Sequence, residues 1–326
     1  MGDIKGKHVF VGLSGGVDSA VSAALLKRAG AKVTGVFIKG WYPPGLPCSW
    51  TAERRAAMRV AARLQIPFRT LDASAEYKQG VIDYLLAEYA AGRTPNPDVM
   101  CNREVKFGAF YRYAKEQGAD TIATGHYRSG QKDQSYFLWA VPKEVLNTVI
   151  FSVGGMEKED VRKLAKRFDL PVAEKRDSQG ICFLGDVSVD EFLKGEFGND
   201  NPALLYTLGQ RVPFQGGPWY VTGKDVSQKK IEISHTRPVG MREVVITGTN
   251  WFGSPTEVAK AQYRYRGPFM RGHVSWTSDI HSGRGYPMST GKFVADEPLP
   301  ELPAPGQSLV LYDDSGELVG GGIITA

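Results

Sequence analysis

His8-Val9-Phe10-Val11-Gly12-Leu13-Ser14-Gly15-Gly16-Val17-Asp18-Ser19 joins a short apolar run to a glycine turn and then to the start of a helical pattern. The apolar run reads as a buried strand. Val17, Ala20, Val21, Ala24 and Leu25 recur at helical spacing, and Gly30 is placed to end that helix. A strand, a glycine turn and a helix in this order form an anion cradle. The turn and the helix N-terminus aim backbone N–H groups at one point, and the helix dipole adds to the attraction. Glycines let the backbone approach phosphate oxygens without a Cβ in the way, and Ser14 and Ser19 can add hydroxyls. The Gly-Lys-Ser/Thr ending of a Walker loop is absent, as are the three spaced glycines of the dinucleotide fingerprint. A bare Gly-Gly turn would read as a tight corner with no ligand; the two serines and the Asp shift the reading to phosphate.

Outward from this loop the alternation continues. Val33 to Ile38 reads as a second strand, Thr51 to Leu64 as an amphipathic helix, Pro67 to Leu71 as a third strand and Tyr77 to Tyr89 as a helix. Phe107 to Glu116 reads as a helix and Thr121 to Thr124 as a strand. Thr94-Pro95-Asn96-Pro97-Asp98 is expected to be non-helical, because each proline disfavours helical backbone in the residue before it. The pattern predicts an α/β fold, a doubly wound parallel sheet with helices on both faces.

After about Asp186 the character changes. Glu191 to Gly217 reads as irregular and glycine-rich. Then come short alternating segments at Lys230 to Ser234, Glu243 to Thr247, Val258 to Tyr265, His273 to Trp276, Lys292 to Ala295, Ser308 to Tyr312 and Leu318 to Ile324. Gly and Pro clusters separate them, which predicts a small antiparallel β-barrel. Three parts are expected: a nucleotide-binding catalytic domain over 1–186, a small central linker domain over 187–240 and a C-terminal barrel over 241–326.

The composition fits this. Of 326 residues, 42% are hydrophobic and 23% charged, which argues for packed globular structure and against disorder. No apolar run reaches the roughly 20 residues a spanning helix needs, and Met1 to Lys7 lacks the apolar core of a signal peptide. A cytoplasmic location without membrane partners is expected. Forty basic against 35 acidic residues give a net charge of +5. That surplus permits nucleic-acid binding without demanding it. The three cysteines, Cys48, Cys101 and Cys182, suit a reducing compartment better than a disulfide scaffold. None forms a Cys-x-x-Cys pair, so no residue is assigned to a metal.

Cys101 lies three residues past Asp98, with Arg93, Arg103 and Lys106 nearby in sequence; Cys182 follows Lys175-Arg176-Asp177-Ser178-Gln179-Gly180-Ile181. A carboxylate can move protons for a reacting group, and basic neighbours favour a reactive thiolate. The plainer reading of each cysteine is a small buried hydrophobe, and the residues alone leave the two readings balanced. Cys48 reads as incidental. His126 taken alone reads as a satisfied core histidine, and Arg264-Tyr265-Arg266 as one strand face able to stack on and pair with RNA.

The Ser14 to Ser19 hexapeptide resembles the loop of ATP pyrophosphatases. Further segments run in order along the chain: Gly92-Arg93-Thr94-Pro95-Asn96-Pro97-Asp98, Cys101-Asn102, Ala123-Thr124-Gly125-His126-Tyr127, Lys132-Asp133-Gln134-Ser135-Tyr136-Phe137-Leu138 and Asp177 to Phe183. Tyr206-Thr207-Leu208-Gly209-Gln210-Arg211, Trp219-Tyr220-Val221, Arg264-Tyr265-Arg266, Pro305-Gly306-Gln307 and Gly320 to Ile324 follow. Together they resemble the tRNA-specific 2-thiouridylase family, and the two cysteine motifs in this order make the match specific.

The resemblance implies an ATP-dependent sulfurtransferase that adenylates the 2-oxygen of the wobble uridine of tRNA and replaces it with persulfide sulfur, releasing AMP and pyrophosphate. It implies that Gly12, Leu13, Ser14, Gly15, Gly16, Val17, Asp18 and Ser19 bind ATP, with Ile38 and Gly125 at the adenosine end and Mg2+ on the phosphates. Asn96, Pro97 and Asp98 would meet the target base, with Asp98 assisting proton transfer. Cys182 would carry the persulfide, and Cys101 would close a disulfide with it. His126, Lys132, Asp133, Gln134, Arg264, Tyr265 and Gln307 would contact the tRNA anticodon stem-loop. The implied sulfur source is a persulfide carrier protein or a cysteine desulfurase. This chain departs from the family in having only Arg128 to Gln131 between Tyr127 and Lys132, in short stretches around Phe197 to Leu205 and after Arg211, and in Ile38 where Met is common. Two other readings compete: an ATP pyrophosphatase making an amide, guanidine or lysidine product, which needs no cysteine pair, and a non-catalytic RNA-binding relative.

Overall fold

The computed structural model describes residues 4–43, 50–176, 188–198, 200–276 and 290–325. Cys48, and Cys182 with the segment from Asp177 to Phe183, lie outside the described residues. The chain folds into two compact units, residues 1–81 with 100–188, and residues 82–99 with 189–326.

The first unit carries a parallel sheet built of β1 (His8–Gly12), β2 (Lys32–Lys39), β3 (Phe68–Asp72) and β4 (Thr121–Ala123) in the order β3-β2-β1-β4. α1 (Val17–Arg28) follows β1, and α2 (Trp50–Leu64) follows β2. Period-two alternation distributes the strand residues between two cores. Val9 and Val11 pack with Ala20, Val21, Val60 and Ala61 on one face. Phe10 points the other way, its ring 6.3 Å from Tyr113. Helices thus cover both faces, as the alternating sequence pattern predicts. The chain leaves β1 toward β2 and β3 and later returns to β1's other edge with β4. The crevice at the carboxyl ends of β1 and β4 is therefore the topological switch point, the place where such sheets bind ligands.

After β3 come α3 (Ser74–Tyr77), a π-helical stretch Lys78–Asp83 and α4 (Tyr84–Ala90). The segment around Pro97 differs from expectation: α5 (Pro97–Met100) is helical and leads into π-helical Cys101–Ala109 and α6 (Phe110–Glu116). Pro97 stands at the first helical position, where a missing N–H costs nothing and a fixed φ helps. Asn96 caps the helix, its Oδ1 accepting from Val99 N at 3.4 Å. Proline thus starts this helix, and only the residues before it are excluded. α4 and the first residues of α5 belong to the second unit, whereas α6, α7 (Lys143–Leu146) and α8 (Lys158–Arg167) belong to the first, with α8 packing through Val161 and Ala165 into the same core as α1.

In the second unit, α9 (Val189–Phe197) and α10 (Pro202–Leu205) occupy part of the stretch expected to be irregular. Phe192, Leu193, Ala203 and Leu204 are buried, and this packing overrides the poor local pattern. β5 (Arg211–Val212), β6 (Trp219–Asp225) and β7 (Lys230–Ser234) form a small antiparallel sheet. The remaining strands are β8 (Glu243–Trp251), β9 (Lys260–Gln262), β10 (Met270–Trp276), β11 (Gly291–Ala295), β12 (Ser308–Tyr312) and β13 (Leu318–Ile324). They close a six-stranded barrel in the order β10-β11-β8-β13-β12-β9. Val244, Ile246, Phe293, Leu309, Leu311 and Ile324 fill its interior. No helix among the described residues is long and apolar enough to cross a membrane.

Candidate active site

The loop Gly12 to Ser19 lies at the carboxyl end of β1, at the switch point. Gly15 has φ +77, and a Cβ there would fall 2.5 Å from the backbone oxygen of Glu53, so only glycine fits. α1 begins with Gly16 as a cap that supplies no side-chain hydrogen bond. The first-turn N–H groups of Val17, Asp18 and Ser19 have no preceding helical carbonyl to meet. Ser14 and Ser19 brace the turn: their hydroxyls are 3.2 Å apart, Ser19 Oγ accepts from Ser14 N at 3.3 Å, and Ser14 Oγ accepts from Gly16 N at 3.3 Å. Ser14 stays exposed.

Asp18 is fixed from outside the loop. Lys158 Nζ donates to both carboxylate oxygens, at 2.7 and 2.8 Å, and Tyr127 Oη donates to Oδ1 at 2.7 Å. The Lys158 side chain is only 10% exposed. Lys175 Nζ donates to Gly15 O at 3.1 Å. Burial raises the pKa of the nearby Glu53 carboxyl above the ordinary value, and Lys175 opposes that rise. The cradle therefore combines uncapped helix N–H groups and the exposed Ser14 hydroxyl with two lysines. Lys158, Tyr127 and Lys175 were not among the site residues expected from sequence. Partners 109, 140 and 160 residues away leave no local pattern to read.

Ile38 and Gly125 converge on the same loop. Ile38 Cδ1 lies 3.9 Å from where a Cβ on Gly12 would sit, and a Cβ on Gly125 would sit 2.7 Å from Ser19 N. The ends of β1, β2 and β4 thus meet at the start of α1, which allows a nucleotide to lie across them.

His126 is buried, its Nδ1 2.9 Å from Thr124 Oγ1 and its ring 5.4 Å from that of Phe107. Burial first, and the Lys106 charge second, push its pKa down to about 3, so the imidazole is neutral. Lys132 and Asp133 belong to a turn in which Asp133 Oδ1 accepts from Ser135 N at 2.8 Å. Gln134 pairs twice with Tyr127, through Tyr127 N to Gln134 Oε1 at 3.1 Å and Gln134 N to Tyr127 O at 2.9 Å. It thus steadies the tyrosine that holds Asp18. Cys101 is a buried cysteine at the start of the π-helical stretch. Beside it, Asn102 Nδ2 donates to Phe137 O at 3.0 Å.

In the second unit, Asn96, Pro97 and the exposed Asp98 follow a loop tied to the barrel. Gln307 Nε2 donates to Thr94 O at 2.7 Å, and Thr94 N donates to Pro305 O at 2.8 Å. Gln307 spends a donor on this loop. Arg264 and Tyr265 sit in a turn after β9 and not in a strand, because Arg266 takes a left-handed φ of +59 that a strand cannot hold. Among the described residues no group of three or more His, Cys, Asp or Glu is placed to hold a metal ion.

Residues 7–131 and 128–186 match the family described as the tRNA methyl transferase HUP domain. The chain is 39% identical to a tRNA-specific 2-thiouridylase MnmA of Neisseria meningitidis, over 97% of this chain and 95% of that protein. It is 37% identical to the protein of the same name from Akkermansia muciniphila, over 97% and 98% of the two chains. For that of Streptococcus mutans the figures are 36%, 99% and 96%.

Proposed function

The chain belongs to the tRNA-specific 2-thiouridylase family, and from that premise we propose that it replaces the 2-oxygen of the wobble uridine of tRNA with sulfur at the expense of ATP. The observation that carries the reading is the Gly12 to Ser19 cradle, held by Lys158 and Lys175 at the sheet's switch point, within a chain alike to 2-thiouridylases over nearly its whole length. The residues fit ATP: uncapped N–H groups at Val17 to Ser19, an exposed Ser14 hydroxyl, and Ile38 and Gly125 beside the loop. Magnesium would come with the phosphates and would offset the negative charge that develops on them.

A uracil carbonyl oxygen is a poor leaving group, and adenylation converts it to AMP, a good one. The loop donors stabilise charge that develops on the phosphates. Asn96 and Pro97 hold the base, and Asp98, exposed at the start of α5, takes up the proton. Cys182 carries the persulfide, whose terminal sulfur attacks C2. The Cys101 thiolate then attacks the Cys182 sulfur, forming a Cys101–Cys182 disulfide and freeing the transferred atom. Cys101 is buried, so it must become exposed for this step. A persulfide carrier or cysteine desulfurase loads Cys182. Arg264, Tyr265, Lys132 and Asp133 face the anticodon stem-loop, and His126, Gln134 and Gln307 act nearby. Catalysis is assigned to 1–186, a tRNA-contacting role to 187–240 and the barrel to 241–326, in the cytoplasm. The other ATP pyrophosphatase products and the non-catalytic reading find no observation in their favour.

The test is release of AMP from ATP, with a persulfide donor present, in reactions with tRNA transcripts that differ only at the wobble base. Uridine should support AMP formation and cytidine should not. Equal AMP from both would remove the wobble uridine as the target.

A further inference from the structure

Glu301 is a carboxylate whose side chain is only 9% exposed, and each of its oxygens holds a different arginine. Oε1 lies 2.8 Å from Arg264 Nη1, and Oε2 pairs with Arg237 Nη2. The arginines remain 42% and 45% exposed. Arg237 is also held against Tyr220, its Cζ 5.9 Å from the ring centroid. The backbone around Glu301 is fixed as well. Gly240 N donates to Leu299 O at 3.1 Å and Leu302 N donates to Pro238 O at 3.3 Å. Val239 and Met241, on that same segment, are 72% and 75% exposed.

A triad of this kind contributes little net stability, because desolvating the carboxylate offsets its attraction to the guanidiniums. What it supplies is geometry. Two charges of one sign would repel if brought together alone, and Glu301 between them removes that cost. The triad keeps one net positive charge. Each guanidinium has five N–H donors, and with both side chains over two-fifths exposed each keeps donors for a ligand beyond the one that meets Glu301. Paired, pre-oriented guanidiniums match the two free oxygens of a phosphodiester. The exposed apolar side chains alongside suit a ribose or base edge.

We propose that Glu301 is a positioning residue that holds Arg237 and Arg264 as a fixed pair for one backbone phosphate of the bound tRNA. The proposal rests on the tRNA 2-thiouridylase reading given above.

The experiment measures equilibrium binding of an unmodified wobble-uridine tRNA transcript to the full chain across a salt series, with KM and kcat for 2-thiouridine formation. Variants are Glu301→Gln, Arg237→Gln, Arg264→Gln and the double variant Glu301→Gln/Arg237→Gln. If Glu301 were only a negative charge near RNA, Glu301→Gln would tighten binding. Positioning predicts the opposite sign: affinity falls about tenfold, KM for tRNA rises to match and kcat holds. Arg237→Gln should lower affinity and reduce the salt slope by about one. The double variant should be little worse than Arg237→Gln alone. Tighter or unchanged binding by a folded Glu301→Gln overturns the proposal. Should that variant not fold, unchanged binding by Arg237→Gln overturns it equally. Wild type that makes no 2-thiouridine would instead remove the functional reading beneath it.

Discussion

Lys158 Nζ lies between the two carboxylate oxygens of Asp18, 2.7 Å from one and 2.8 Å from the other. This pair joins the first turn of α8 to the first turn of α1 across 140 residues of sequence. It sets the orientation of the turn whose N–H groups form the cradle.

Lys158→Met removes the cation and leaves a half-buried carboxylate with the Tyr127 hydroxyl. Stability should fall by about 1–3 kcal/mol, the cost of stranding a partly buried charge. AMP formation should fall by about a hundredfold, as for a displaced catalytic element. Urea unfolding and an AMP assay on the same preparation check both. An unchanged unfolding midpoint with normal AMP release would show that the pair does not position the loop.

Gly15→Ala forces an L residue to φ +77 and sets its Cβ 2.5 Å from the Glu53 carbonyl oxygen. The left-handed backbone alone costs roughly 1–2 kcal/mol, and the contact moves the loop or α2. AMP formation should drop at least about a hundredfold. Gly155→Ala is the control, since a Cβ there meets nothing within 4 Å. It should leave stability and AMP formation alone. Equal behaviour of the two variants would contradict the close-approach argument.

His126 gives a pH signature. Its folded pKa is pushed down to about 3, while the unfolded imidazole titrates near about 6.5. Between these values the unfolded chain binds the extra proton, so this residue lowers stability as pH falls through the window and has no effect above it. The slope approaches about 1.4 kcal/mol per pH unit. Unfolding free energies of wild type and His126→Gln, compared from pH 7 to 4.5, should therefore diverge, with wild type losing more on acidification. A constant difference would mean that His126 titrates normally in the fold.

Gln307→Ala deletes the hydrogen bond to the Thr94 carbonyl, a contribution of about 1 kcal/mol. Amide exchange in residues 94–98 should accelerate, and KM for tRNA should rise by about fivefold. Exchange matching wild type through this segment would show that Pro305 alone anchors the loop.

Much of the framework was legible because it is local. Strand β1 and its glycine turn, helix α2 from its Ala and Arg pattern, and barrel strands such as Ser308–Tyr312 and Leu318–Ile324 all carry their periodicity within a few residues. The helix begun by Pro97 departs from the sequence expectation because proline disfavours helix in the residue before it yet suits the first helical position itself. Helices α9 and α10 were missed because their burial, not their pattern, selects them. In the candidate site the cradle itself was readable, while its supports were not. Lys158, Lys175 and Glu301 look in sequence like ordinary surface charges. Only the fold brings a carboxylate, a loop carbonyl and a pair of guanidiniums to meet them.

The most direct measurement is nucleoside mass spectrometry of tRNA after incubation with the protein, ATP, magnesium and a persulfide donor. Wild type should produce 2-thiouridine at the wobble position, and neither Cys101→Ser nor Cys182→Ser should, though both should still release pyrophosphate from ATP. Full 2-thiouridine formation by either variant, or none by a folded wild type tried with several tRNAs, would contradict the account.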